Sequence, residues 1–140
     1  MYLTYAEYED MGGQISEETA FQQLEFEART IIDWWTFNRL QNETNYPEAV
    51  KRCMLALISL LETRQKAMVV DGQSQSDGSV TAGIASESND GVSASYNTLS
   101  AKDAVDAVGD RLETTVRMYL ANVRDSLGRK VLYRGLYPDE

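Results

Sequence analysis

One stretch, residues 71–100, divides this chain into two helix-forming parts and most constrains its fold. It reads DGQSQSDGSVTAGIASESNDGVSASYNTLS, is rich in Ser and Gly, has no Lys or Arg, and carries four acids. A segment of this composition buries too little apolar surface to offset the entropy of ordering it. Loops longer than about 12–15 residues inside compact domains are usually functional or disordered. We therefore predict an extended loop over 71–99 between two helical blocks.

Alternation within this loop indicates a β-hairpin. Val80, Ala82 and Ile84 alternate with Thr81, Gly83 and Ala85, and the more apolar Val92, Ala94 and Tyr96 alternate with serines, on either side of an Asn- and Gly-containing cluster at 87–91. Asn and Gly accept the positive φ angles that hairpin turns need. Because an isolated hairpin is marginal in water, an ordered one needs a neighbouring copy or a partner. A solvated linker is the alternative interpretation.

The composition favours a single globular domain over residues 1–140. The longest apolar run, 53–61, is about half the length of a membrane-spanning helix, and the first residues do not match a signal peptide. We expect a protein made in the cytoplasm, with no membrane contact. Cys53 lies inside the apolar run, which predicts a buried structural thiol rather than a nucleophile.

The charge is unevenly distributed along the chain. The formal net charge is −9, of which residues 1–70 contribute −5, residues 71–100 contribute −4, and residues 101–140 contribute nothing. An acidic protein without clustered Lys and Arg does not bind nucleic acid through its phosphates. The composition therefore argues against a nucleic-acid-binding protein of the usual basic kind.

Capping residues and apolar spacing predict a short first helix and a long second one. Thr4 and Glu7 form a capping box, and Gly12 ends the short helix. The second helix is predicted to begin at Ser16. It carries an apolar stripe at spacings of three and four, namely Phe21, Leu24, Ala28, Ile31 and Trp35.

Two more long helices complete the prediction. Pro47 suits the first turn of the third helix, which Asp71 and Gly72 end. Its stripe consists of Val50, Met54, Leu57, Leu61 and Met68. The last helix is predicted to run from Ser100 to Gly128, with apolar residues again at spacings of three and four. The fold class is therefore all-α: a small bundle of a short helix and three long ones, with a Ser/Gly-rich acidic loop or hairpin between the last two.

Some apolar residues lie away from the predicted core faces. Phe26, Trp34 and Phe37 fall opposite the core stripe of the second helix, which indicates a central helix or one shared with another subunit. The C-terminal tail, 129–140, is also apolar, and it packs either on its own helices or on another chain. The candidate interface residues are Trp34, Phe37, Leu132, Tyr133, Arg134, Leu136 and Tyr137.

The sequence offers little catalytic chemistry. A Ser nucleophile needs an adjacent base, and the chain has no His, the commonest general base and metal ligand. Helix capping accounts for Glu17 and Glu18, and turn chemistry accounts for Glu87 and Asp90. The loop also lacks the Gly-Lys-Ser/Thr of a phosphate-binding loop and the acid spacing of an EF-hand. We expect no enzymatic activity, no metal and no cofactor.

Four motifs together resemble the head–tail connector proteins of tailed bacteriophages, also called head-completion or DNA-packaging adaptor proteins. They are the opening Tyr-Leu-Thr-Tyr-Ala-Glu-Tyr of residues 2–8 followed by Gly-Gly, the helix of residues 21–40, the segment IASESNDGVSASY at 84–96, and the closing Leu-Tyr-Arg-Gly-Leu of 132–136. The third is the most specific, because it is similar to the family's Ser-Glu-x-x-x-Gly-x-Ser-x-Ser-Tyr stretch. The resemblance covers nearly the whole chain.

The resemblance implies a helical subunit of a homo-oligomeric ring in the neck of the virion, beneath the portal. Such rings complete the head after packaging and contact the portal protein on one side and stopper or tail-side proteins on the other. The tail of each subunit reaches a neighbour, and the long loop points toward the channel or the portal. Here that loop contains Asp77, Glu87, Asp90 and Tyr96. We hypothesise that the three acids face the lumen and repel passing double-stranded DNA, which is not bound sequence-specifically.

Two other functions fit an acidic helical protein. One is an inhibitor that imitates DNA and occupies a basic partner. It predicts a monomer or dimer with its acids clustered on one outer face. The other is a regulatory or scaffold-like interaction module without DNA contact. Particle sizing and portal-protein capture distinguish these functions from a connector.

Overall fold

The computed structural model describes residues 1–73, 86–89, 92–95 and 101–138, with side chains for 1–69 and 106–138. Within these residues the fold is helical, as predicted, with one short and three long helices. The elements in order are α1 Tyr5–Asp10, α2 Glu18–Thr36, α3 Glu48–Gln73, β1 Ser86–Asn89, β2 Val92–Ser95 and α4 Ala101–Leu120. The two short strands pair antiparallel, with Asn89 opposite Val92. The predicted hairpin arm 80–85 lies outside the described residues.

The first helix begins at the predicted capping box. The Thr4 hydroxyl accepts a hydrogen bond from the Glu7 amide at 3.3 Å, and the Glu7 carboxylate accepts one from the Thr4 amide at 3.0 Å. After α1 the chain turns through Gly12, whose φ is +88°. A side chain at Gly13 would collide with the ring of Tyr8. Both positions therefore need glycine, and the two glycines allow the chain to turn tightly here.

Glu7 also links α1 to α3. Its carboxylate lies 2.5 Å from the Lys51 ammonium, and this contact, with the hydrogen bonds from Thr4, lowers the pKa of Glu7 to about 2. The unfolded-state pKa is about 4.3, so the stabilisation is present above that pH and is lost as the pH falls toward 2. Because the Glu7 side chain is 39% exposed, solvent limits the contribution to about 1 kcal/mol.

Replacing Glu7 with Gln tests this ion pair, because Gln keeps an oxygen for the cap but loses the charge. We expect the free energy of unfolding at pH 7 to fall by about 1 kcal/mol, and its loss between pH 5 and 2 to become shallower. Urea unfolding at several pH values measures both effects. Glu9→Gln is the control, because exposed Glu9 has no salt bridge among the described residues. Equal pH profiles for Glu7→Gln and the wild type would contradict the assignment.

The second helix has its N-cap one residue later than predicted, at Glu17 instead of Ser16. The Tyr5 hydroxyl donates hydrogen bonds to the carbonyls of Ile15 and Ser16, and Glu17, at the N-cap position, is extended and makes no side-chain cap. The prediction of Ser16 as the cap is therefore wrong. The buried face of α2 is formed by Phe21, Leu24, Ala28 and Ile32. The predicted core residues Ile31 and Trp35 are only partly buried at its edge.

The third helix supplies the centre of the core. Its start follows Pro47, whose carbonyl accepts hydrogen bonds from the amides of Val50 and Lys51. The buried residues of α3 are Val50, Cys53, Met54, Leu57, Ile58 and Leu61. Met68, which we predicted to be buried, is exposed. The helix continues through Asp71 and Gly72, which we predicted to end it, as far as Gln73.

The last helix ends at Leu120, eight residues before the predicted Gly128. The chain then makes a turn in which the Val131 amide donates to the Val123 carbonyl at 3.2 Å. Val123 and Val131 are buried by this turn, whereas Leu127 at its tip is exposed. The apolar spacing therefore continues past the end of the helix, which explains the wrong prediction. Ser100, the predicted cap, lies outside the described residues.

A buried carboxylate holds this turn together. Asp125 accepts hydrogen bonds from the amides of Leu127 and Arg129, at 3.0 and 2.8 Å, and from the Arg129 guanidinium at 2.6 Å. Burial alone would raise the pKa of the Asp125 carboxyl, but the hydrogen bonds from Arg129 and Leu127 outweigh burial and lower it. Gly128 completes the turn with a φ of +78°. The ionised carboxylate therefore fixes the path from α4 into the C-terminal tail.

The single cysteine is buried, as predicted. Burial raises the pKa of the Cys53 thiol to about 12. The thiolate is the nucleophile, and a raised pKa leaves little of it at pH 8. We therefore expect Cys53 to react with an aromatic disulfide reagent at pH 8 at least about 1,000-fold more slowly than free cysteine. Absorbance stopped-flow measures the rate, and the chain unfolded in guanidinium is the control. Reaction of the folded chain at the rate of free cysteine would contradict a buried thiol.

Candidate functional site

Arg39 anchors the C-terminal tail to the end of α2. Its guanidinium donates hydrogen bonds to the carbonyls of Val131, Tyr133 and Gly135, the last at 2.9 Å. It also stacks over the Tyr137 ring, with its central carbon 5.0 Å from the ring centre. Arg39 is buried. Its planar guanidinium has five N–H donors and can therefore bond to three carbonyls at once. One side chain therefore fixes the path of residues 131–135.

Of the two predicted arrangements of the tail, the described part adopts packing on its own chain. Val131 is buried in the core and Leu132 packs against it. The Tyr137 hydroxyl accepts a hydrogen bond from the Lys130 amide at 2.9 Å, so the tail also folds back on itself. Leu136 remains 85% exposed, and Tyr133 is half exposed. The tail therefore presents two apolar side chains at the surface instead of extending away from the bundle.

The outer face of α2 carries a cluster of exposed aromatic side chains. Phe26 is 63% exposed, Trp34 70% and Phe37 52%. Together with Arg29 and Arg134 they line a concave surface with a volume of about 740 Å³, which we call the α2 groove. The groove brings the predicted interface residues Trp34, Phe37 and Arg134 together. Its aromatic residues occupy the face that the sequence places opposite the core.

Arginines flank the aromatic side chains of the groove. The Arg29 guanidinium lies 5.3 Å from the centre of the Phe26 ring, and the Arg134 guanidinium lies 5.5 Å from that of Trp35. Trp35 meets Trp34 edge-on at 4.9 Å. Such contacts between guanidinium groups and aromatic rings are attractive, and each contributes about 0.5–1 kcal/mol at exposed sites. The groove therefore combines apolar surface with positive charge in an otherwise acidic protein.

Among the described residues, Asp33 is the carboxylate that lines the groove, and neutral groups hold it. Asp33 accepts hydrogen bonds from the Tyr2 hydroxyl and from the Gln41 amide. Burial, followed by the bond to Asp33, raises the pKa of the Tyr2 phenol, which therefore stays protonated. The Tyr2 amide also donates to buried Glu25 at 2.9 Å. These bonds attach the N-terminal segment to α2 and leave Arg29 and Arg134 as the cations of the groove.

Phe37 occupies a backbone conformation that disfavours its side chain. Its φ is +55°, and that of Asn38 is +60°, so the end of α2 has two successive left-handed residues. Asn tolerates this conformation, but a bulky residue there costs about 1 kcal/mol or more. The Phe37 ring gains a contact with the Arg39 guanidinium, at 5.3 Å, yet it is half exposed. A strained and exposed aromatic residue is more typical of a binding surface than of a helix end selected for stability.

Most of the loop residues predicted to face the channel lie outside the residues that the structure describes. Asp77, Asp90 and Tyr96 lie outside the described residues, and Glu87 lies on β1, where the backbone alone is described. Neither Arg29 nor Arg39 was among the residues predicted to form a binding surface. The sequence gives little indication of the role of Arg39, because the carbonyls that it contacts lie more than 90 residues later in the chain.

Within the described residues, no three or more His, Cys, Asp or Glu side chains are arranged to hold a metal ion. None of the helices described has the length and apolarity needed to cross a membrane. No protein-family model, curated protein or solved structure matches this chain.

Proposed function

We propose that this protein is a structural subunit of the head–tail connector of a tailed bacteriophage. In this proposal, copies form a ring in the virion neck beneath the portal, complete the head after packaging and join it to stopper or tail-side proteins. The chain acts by assembly, with neither catalysis nor a cofactor. The four motifs that resemble the connector family support the phage assignment, and the α2 groove supports the assembly.

The observation that carries the assembly is the exposure of Phe26, Trp34 and Phe37 on one face of α2. Aromatic residues and Arg are enriched at the centres of protein interfaces, and a few such residues supply most of the binding energy. A monomer gains nothing from exposing them together beside arginines. In the ring, the α2 groove receives a neighbouring subunit, and Leu136 and Tyr133 extend the contact from the tail.

The acidic loop completes the proposal. In a ring, the loop that follows α3 and its hairpin point toward the channel or the portal. Asp77, Glu87 and Asp90 add three negative charges per subunit to the lumen, where they repel the phosphates of passing DNA over about 8–10 Å at physiological salt. Tyr96 contacts the channel wall or the portal. Repulsion keeps the genome moving, because DNA that does not bind the ring does not stall there.

Electron microscopy of this chain mixed with portal-bearing capsids tests the assembly. We expect ring-shaped density below the portal vertex that is absent without the chain. Capsids lacking the portal are the control. A chain that leaves the vertex bare would contradict the connector function. A monomer that competes with DNA for a basic partner would support the alternative of an acidic DNA-imitating inhibitor.

Reversing the loop charges tests the lumen role separately. Changing Asp77, Glu87 and Asp90 to Lys together is expected to slow genome release several-fold or to trap DNA, with the largest effect at low salt. Release is measured by the fluorescence of a DNA dye after ejection is triggered. Reversal of Glu48, Asp106 and Asp110, exposed acids on the helices, is the matched control. Unchanged release from the loop variant would disprove the lumen role.

A further inference from the structure

The N-terminal end of the bundle has an excess of negative charge. Residues 1–28 contain seven acids and no base. Three of these acids are balanced by bases from later in the chain, in the pairs Glu7–Lys51, Glu25–Arg29 and Glu27–Arg64. The other four are exposed and form no salt bridge within the described residues; we call this group, Glu9, Asp10, Glu17 and Glu18, the acidic end.

The chain path brings the members of the acidic end together. Glu9 and Asp10 end α1, and Glu17 and Glu18 begin α2 after a short turn. The Tyr5 hydroxyl joins the two helices by hydrogen bonds to the carbonyls of Ile15 and Ser16. Burial, with the negative charges of Glu9, Glu18 and Glu17 around it, raises the pKa of the Tyr5 phenol. The four carboxylates therefore create one negative region.

The acidic end and the α2 groove cannot meet within one molecule. Glu18 begins α2 and Trp34 lies near its other end, a separation of about 24 Å at the rise of an α-helix. Arg134, beside Trp34 in the groove, forms no salt bridge with any described residue. Among the described residues Arg29 has one salt-bridge partner, Glu25, at 3.6 Å. Each molecule thus carries complementary charges on two separate surfaces.

We propose that the acidic end of one copy docks in the α2 groove of a second copy, with carboxylates from Glu17 and Glu18 paired to Arg134 and Arg29 around Trp34. The inference rests on the proposed ring and names the two surfaces that meet in it. Charged pairs at the rim exclude water from an aromatic centre, as at other protein interfaces. Because the two surfaces differ, a bound pair still has one free groove and one free acidic end, and such head-to-tail contacts close into rings when the rotation permits.

Charge reversal of the intact chain, followed by sedimentation velocity over a range of concentrations, tests this contact. We expect Arg134→Glu, and separately Glu17→Arg with Glu18→Arg, to raise the dissociation constant of self-association at least tenfold. A chain that carries all three changes regains an opposite-charge pair at position 134 while Arg29 faces a like charge, so its dissociation constant should be at least about threefold lower than that of the chain with the two acid reversals alone. Arg111→Glu, at an exposed residue of α4, controls for net charge, and circular dichroism confirms that each variant is folded.

Three results would overturn the inference. The first is a wild-type chain that stays monomeric at concentrations up to about 1 mM, because a dissociation constant above this value would be too weak for the proposed contact. The second is weakening by Arg134→Glu without weakening by the reversal of Glu17 and Glu18, which would indicate a groove-to-groove dimer. The third is a triple variant that associates no more tightly than the chain with the two acid reversals alone.

Portal-bearing capsids distinguish failure of this inference from failure of the proposed function. If Arg134→Glu still gives wild-type ring density at the portal, the contact is wrong but the connector function stands. If self-association responds to the three variants as expected while the wild-type chain never binds the portal, the contact stands and the connector function is wrong.

Discussion

Replacing Arg39 with Ala should lower the free energy of unfolding by about 3 kcal/mol and release residues 131–138 from the bundle. The buried guanidinium donates to the carbonyls of Val131, Tyr133 and Gly135. Each hydrogen bond from a charged group contributes about 1.5–3 kcal/mol, and contributions that share one side chain do not add fully. Without Arg39, these carbonyls and the stacked ring of Tyr137 lose their common partner.

Urea unfolding measures the loss of stability, and amide hydrogen exchange measures the release of the tail. Arg39→Lys should recover less than half of the loss, because an ammonium keeps the charge but not the planar fork. Arg124→Ala is the matched control: its guanidinium donates to the Gly128 carbonyl from an exposed position, so its removal should cost under about 0.5 kcal/mol. An Arg39→Ala chain with wild-type protection over 131–138 would contradict the anchoring role.

Replacing Trp34 with Ala should weaken self-association about 30-fold or more while changing the free energy of unfolding by less than about 0.5 kcal/mol. A central interface tryptophan commonly contributes about 2 kcal/mol or more to binding, whereas a side chain that is 70% exposed adds little to the monomer. Sedimentation velocity and urea unfolding measure the two quantities. Met118→Ala removes a similarly exposed apolar side chain from α4 and should change association less than twofold.

Phe37 allows a sharper version of the same experiment. Glycine suits the left-handed backbone at φ +55°, so Phe37→Gly should leave the fold as stable as the wild type or stabilise it by up to about 1 kcal/mol. The same change removes an aromatic side chain from the α2 groove and should weaken association about tenfold. Weaker association in a more stable monomer cannot result from partial unfolding. A destabilised Phe37→Gly chain that associates normally would assign Phe37 a folding role.

Sequence periodicity predicted the part of the fold that follows from amphipathic helices. The capping box at Thr4 and the core faces through Phe21 and Leu57 lie where the pattern indicated. These features depend on residues close in sequence, so local physics determines them. The outward position of Phe26, Trp34 and Phe37, predicted from the same pattern, is confirmed by their exposure.

The sequence could not predict features that depend on distant contacts. Val123 and Leu127 fit a helical spacing, but a turn held by Asp125 carries the chain away after Leu120. Ser16 matches an N-cap residue, yet the Tyr5 hydroxyl holds its carbonyl in the preceding turn. The partners of Arg39 are backbone carbonyls, which any sequence provides, so no side chain near it reveals its role.

The uneven burial of α4 has a consequence for how the two helical blocks are joined. From Asp106 to Thr115 no side chain of α4 is fully buried, whereas Val116 and Leu120 are. Opening the turns over 106–115 therefore costs far less free energy than opening the core. The amides of these turns should exchange with solvent sooner than those of 116–120. Opening of the turns over 106–115 would leave Val116 and Leu120 buried in the core. A change in the length of the chain between α3 and α4 should therefore disturb the core less than a change after Val116.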